Sequence, residues 1–93
     1  MITIFKYKLE PVRKQVVKIE GYLKTFSAQA QGEDLVLYCA VDSAKKLPTN
    51  LPVYIGGTGT DNNFMVADAK TFVNTVMMPN GLVWHVFLGK EKA

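Results

Sequence analysis

Residues 34–42, DLVLYCAVD, constrain the fold more than any other stretch of the chain. Leu35, Leu37, Cys39 and Val41 fall on one side of an extended backbone, and Val36, Tyr38 and Ala40 fall on the other. Apolar side chains on both faces need cover on both. The segment therefore predicts a strand in the middle of a sheet or beneath an interface.

Weaker period-two runs surround it. In residues 3–10, TIFKYKLE, Phe5, Tyr7 and Leu9 alternate with Ile4, Lys6 and Lys8, which reads as a half-buried strand. Pro11 interrupts, and residues 15–20, QVVKIE, set Val17 and Ile19 against Lys18 and Glu20, the pattern of a second strand forming a hairpin with the first. Gly21 breaks that run, a mixed extended stretch follows, and Gly32 opens a turn. Pro48 and Pro52 around Thr49 and Asn50 read as a loop that delivers the chain to VYIGG. Near the C-terminal end, Pro79-Asn80-Gly81 lies between two β-rich runs, a hairpin signal for which Asn-Gly suggests a type I′ turn.

One segment carries a helical period: Met65, Ala69, Phe72 and Val76 share a face, and Asp61 or Asn62 is a candidate cap. The β-branched Thr71, Val73, Thr75 and Val76 oppose a long helix, leaving at most one short turn over residues 64–69. The fold class is mainly β: a small antiparallel sandwich or barrel of about six or seven strands with at most one short helix.

Ninety-three residues fill one core, so residues 1–93 are expected to form a single β-rich domain. A core of that size gains from association, and a homo-oligomer, dimer or tetramer, is expected. The formal charge of +3 comes mostly from dispersed lysines, with Arg13 the one arginine. That balance suits a small anionic ligand better than DNA, which calls for a denser basic stripe. Cys39 is alone, so neither an intramolecular disulfide nor a cysteine-rich zinc site can be built. Lysines interrupt the apolar residues at the N-terminus, and no run reaches the ~20 apolar residues of a membrane span. A soluble cytoplasmic protein without membrane attachment is expected.

Chemistry-bearing residues are few. His85 stands between Val83 and Phe87 on one strand face, without an evident partner to orient it, and reads as a hydrogen-bonded structural histidine. Cys39, in an apolar strand, reads as a small buried hydrophobe. The carboxylates are scattered and Asp61-Asn62-Asn63 lacks the spacing of a calcium loop, so no catalytic residue, metal or cofactor is expected.

Residues 54–63, YIGGTGTDNN, are the remaining candidate. They fit neither the phosphate-loop nor the dinucleotide fingerprint. Gly56, Gly57 and Gly59 would let backbone N–H groups approach an oxyanion, with Thr58 and Thr60 adding hydroxyls; a strand-ending turn accounts for the same residues. Tyr54 is a candidate for stacking on a base. Arg13 is the candidate for planar recognition of phosphate or of a base edge.

TIFKYKLE, VYIGGTG and LVWHVFLG, in this order, resemble a group of short tailed-bacteriophage proteins with an I-F-K-Y strand, a Y-G-T-G turn and a terminal V-W-H-V-F strand. Here Ile55 and Gly56 separate the tyrosine from Gly57, and residues 60–70 have no counterpart in that pattern. The group overlaps the anti-CBASS sponges, phage immune-evasion proteins that sequester cyclic oligonucleotide messengers as oligomers without cleaving them. The resemblance implies a non-enzymatic binder in the host cytoplasm, with Gly57, Thr58 and Gly59 holding phosphate. The competing expectation is a phage inhibitor that contacts a host protein through exposed strand faces such as Val36 with Tyr38 or Trp84 with Val86.

Overall fold

The computed structural model describes residues 1–67, 69 and 71–91. Seven strands are formed: β1 (Ile2–Leu9), β2 (Lys14–Glu20), β3 (Tyr22–Gln31), β4 (Asp34–Asp42), β5 (Pro48–Gly57), β6 (Thr71–Met77) and β7 (Val83–Leu88), with a one-turn helix α1 (Phe64–Ala67) before β6. They make two antiparallel sheets, ordered β1-β4-β3 and β2-β5-β7-β6. The mainly β expectation and its short helix hold, and β4 is the central strand its two apolar faces required.

Leu9, Leu35, Leu37, Cys39 and Val41 from the first sheet meet Ile19, Leu51, Val53, Ile55 and Val86 from the second in one buried cluster. These are the inward sets of period-two strands, so sequence alternation and sandwich core are the same fact.

The expected hairpin of the first two strands does not form. β1 pairs with β4, from Ile2 opposite Asp42 to Leu9 opposite Leu35, and β2 pairs with β5, from Lys14 opposite Tyr54 to Glu20 opposite Pro48. Alternation fixes which face of a strand is buried but not which strand lies beside it. The chain changes sheet at residues 10–13, where the Glu10 N–H donates to Gln15 Oε1 (3.0 Å) and Gln15 Nε2 donates to the Glu10 carbonyl (2.8 Å). A second change of sheet occurs at Gly21 alone. Its φ is 68°, and an added Cβ would run into the Asp42 carbonyl, so the corner admits glycine only.

The loop expected at residues 43–52 ends early, because Pro48–Leu51 already belong to β5. Parity explains how prolines enter a strand. The Ile55 N–H donates to the Arg13 carbonyl on the β2 side, whereas the Pro52 carbonyl accepts from Gly89 on the β7 side. Pro48 and Pro52 therefore turn their missing donors away from β2, at and beyond the end of β7, where the ladder asks for none.

The terminal hairpin forms with a different turn. The Gly81 N–H donates to the Met78 carbonyl (3.0 Å), Gly81 has φ 88°, and no described non-glycine residue has positive φ. This is a type I turn closed by a glycine bulge, since Pro79 holds the first turn position near −65° and excludes type I′.

β3 and β6, the edge strands on one side, are joined by a side chain. Asn74 Oδ1 accepts from the Ala28 N–H (2.7 Å) and Asn74 Nδ2 donates to the Ala28 carbonyl (2.8 Å). A bulge between Phe72 and Asn74 turns that amide inward, where it substitutes for a strand. On the other side, β1 and β2 are the sheet edges.

Candidate functional site

The turns at one end of the sandwich enclose a hollow of about 210 Å³ lined by Arg13, Gly56, Gly57, Thr60, Asn62 and Trp84 among others. Arg13 comes from the connection between β1 and β2, the glycines end β5, and Trp84 projects from β7 beside Gly57. Four of the seven expected binding residues, Arg13, Gly56, Gly57 and Thr60, are thus brought together. Thr58, Gly59 and Tyr54 are not part of this wall.

Each residue of the glycine loop has a local reason for its place. A Cβ on Gly56 would overlap the Asn62 amide and press on the Phe64 ring, so the strand must be bare there for the loop to fold back. Gly59 takes φ 79° at the tip. The Gly57 carbonyl accepts from Thr60 Oγ1 (2.9 Å) and Asn62 Nδ2 (3.0 Å), and Asn62 Nδ2 also donates to the Thr60 carbonyl (3.1 Å). The threonine and asparagine donors thus close the loop on itself. Asn62 Oδ1 is buried over Gly56 without a hydrogen-bond partner among the described residues.

Thr58 points to the opposite, outer face of the four-stranded sheet. Its Oγ1 lies 2.7 Å from His85 Nε2, and His85 Nδ1 lies 2.9 Å from Thr75 Oγ1. A threonine–imidazole–threonine chain therefore ties the loop tip to β7 and β6. Hydroxyls can donate or accept, so both ring nitrogens are satisfied in either tautomer.

Tyr54 cannot serve as the stacking platform expected of it. It is 5% exposed, its ring lies parallel to Phe64 (5.6 Å between centroids, 11° between planes), and the Lys14 ammonium sits 5.5 Å from its centroid. The segment after the glycine loop has placed α1 over this ring, and Phe64 also meets Phe87 edge-on at 5.8 Å. Trp84, half-buried in the hollow, is an aromatic expected from the sequence at a host-protein contact and not at a ligand site. The signal for it lay in the pairing of β5 with β7, which sets Trp84 opposite Gly57.

Cys39 is fully buried on β4, 3.5 Å from Thr25 Oγ1, and burial pushes its thiol up from the ordinary value. Burial likewise raises the Tyr22 hydroxyl, in part offset by its hydrogen bond with Thr25. No group of three or more His, Cys, Asp or Glu among the described residues is arranged to hold a metal ion. None of the described helices is long and apolar enough to cross a membrane. Of the strand faces expected to meet a host protein, Val36 and Val86 are buried, and Tyr38 and Trp84 are half-buried.

No curated protein and no solved structure matches the chain. Across residues 1–93 it matches a domain family described as a domain of unknown function, DUF7352, and the chain belongs to that family.

Proposed function

We propose that the hollow between Arg13 and the end of β5 binds a cyclic oligonucleotide, and that the protein sequesters this ligand without cleaving it in the cytoplasm of a phage-infected cell. The observation that carries the reading is the meeting of Arg13, the glycine end of β5 and Trp84 in one concavity, from three separate parts of the chain. Arg13 can offer two parallel donors to phosphate, Gly56 and Gly57 let the loop at Thr60 and Asn62 fold back and shape the wall, and the Trp84 ring takes the stacking role that Tyr54 cannot fill. The loop hydroxyls contribute rigidity, because they already serve the Gly57 carbonyl and His85.

At about 210 Å³ the hollow is smaller than the roughly 300–1,000 Å³ of a site that encloses a whole drug-sized ligand. It takes one nucleotide unit of the ring and leaves the rest on the surface. Calorimetry with a panel of cyclic di- and trinucleotides is expected to show stoichiometric binding of at least one. The ligand should be recovered intact after the protein is denatured, Trp84 fluorescence should change on binding, and Arg13→Ala should weaken affinity by about tenfold or more. Absence of binding across the panel would overturn the reading, and multiple-turnover loss of the ligand would replace it with an enzymatic one.

A further inference from the structure

We infer that β1 is a self-pairing edge, through which two copies of this chain join their three-stranded sheets into one six-stranded sheet about a two-fold axis at Phe5. The edge has the length and regularity for this: eight residues without proline or bulge, hydrogen-bonded on one side to β4. The Met1 carbonyl accepts from Ser43 on the β4 side, so odd-numbered residues of β1 spend their backbone groups on β4. The even-numbered ones, Ile2, Ile4, Lys6 and Lys8, turn their N–H and C=O groups outward.

β1 also leaves apolar surface beside those groups. Ile2 is 67%, Ile4 56% and Phe5 53% exposed; β2 leaves only Val16 exposed among its large apolar side chains, and the edges β3 and β6, which expose Leu23, Phe26, Phe72 and Met77, are interrupted by bulges and bridged by Asn74. An apolar edge with unpaired backbone groups is a template for another strand.

Charge selects the partner and the register. Lysines on an edge ordinarily guard it, because antiparallel pairing sets like charges opposite each other. In β1 one symmetric register avoids that while keeping seven of its eight residues, Ile2 to Lys8, paired with each other. It puts Ile2 opposite Lys8 of the second copy, Ile4 opposite Lys6, Thr3 opposite Tyr7 and Phe5 opposite Phe5. Every lysine then lays its aliphatic stem on an isoleucine, and the two Phe5 rings meet at a non-hydrogen-bonded position, where side chains are closest. Sliding by one pleat toward the C-terminal end sets Lys6 against Lys6. Sliding the other way loses two of the strand pairs and separates the phenylalanines. The strand is thus complementary to itself, as an isologous interface must be.

Sedimentation equilibrium on the whole chain tests this. The wild type is expected at twice the 10.3 kDa chain mass. Ile4→Lys places a lysine opposite Lys6 twice over and should weaken the dimer by about tenfold or more, without loss of fold, because Ile4 faces solvent. Combining Ile4→Lys with Lys6→Glu should restore the dimer through two cross-strand ion pairs, a rescue that no other register gives. Phe5→Cys should form an intermolecular disulfide under mild oxidation, and Thr3→Cys should not. A monomer at all accessible concentrations, a dimer indifferent to Ile4→Lys, or failure of the charge-swapped double variant to recover would overturn the assignment.

Discussion

Gly56 and Thr58 are two residues apart and answer different physical demands. At Gly56 the issue is space, since the Asn62 amide and the Phe64 ring occupy the room a methyl group would need. Gly56→Ala should therefore lower unfolding stability by about 1–3 kcal/mol, read from a denaturant midpoint. At Thr58 the issue is one hydrogen bond to His85. Thr58→Val should cost about 1 kcal/mol and leave ligand affinity unchanged, because the hydroxyl faces away from the Arg13 hollow. A drop in affinity in that variant would return Thr58 to the binding wall. The glycine cluster was legible as a turn from composition. The direction of each threonine was not, since Thr58 finds its partner 27 residues away. The Thr75–His85 contact was within reach of the sequence, because a turn centred on Asn80 sets those two residues opposite each other.

At the level of elements, the parts legible in advance were those whose partners are adjacent in the chain. The turn at Gly32 joins β3 to β4, and Pro79-Asn80-Gly81 joins β6 to β7. Pairing across long separations left no local mark: β1 and β2 have the alternation of a hairpin and the topology of two different sheets. Proline misled in β5 because its cost depends on which side of a strand lacks a neighbour, a property of the assembled sheet. Asn74 gave no signal, being one polar residue in an alternating run. Its bidentate grip on Ala28 makes it the closure between the two sheets. Asn74→Ala leaves an N–H and a C=O of Ala28 without partners, and a loss of about 2–4 kcal/mol is expected. Hydrogen exchange should accelerate at Ala28 in particular, whereas a variant that merely softens the core would speed exchange throughout β3 and β6.

At the scale of the whole molecule, few ionic contacts among the described residues respond to pH, and Asp42 is the instructive one. It ends β4 beside the Gly21 corner, and the Ala44 N–H donated to its Oδ1 (3.0 Å) holds the carboxyl below the ordinary aspartate value. A depressed native value contributes stability that is fully present above the ordinary aspartate range and is lost as pH falls through the native value. Acid titration of unfolding stability should show that decline, and Asp42→Asn should flatten it. The pairing of β1 with β4 also imposes an order of events on synthesis. β1 leaves the ribosome before β4 and cannot pair until residues 34–42 have followed, a wait of seconds at about 5–20 residues per second. During that interval the β3–β4 hairpin has not closed, and Ile2, Ile4 and Phe5 lie on a strand with neither edge occupied. Translation speed between the codons of β1 and those of β4 therefore bears on yield: slowing it prolongs exposure of this segment, and a holding chaperone on the nascent chain covers it meanwhile.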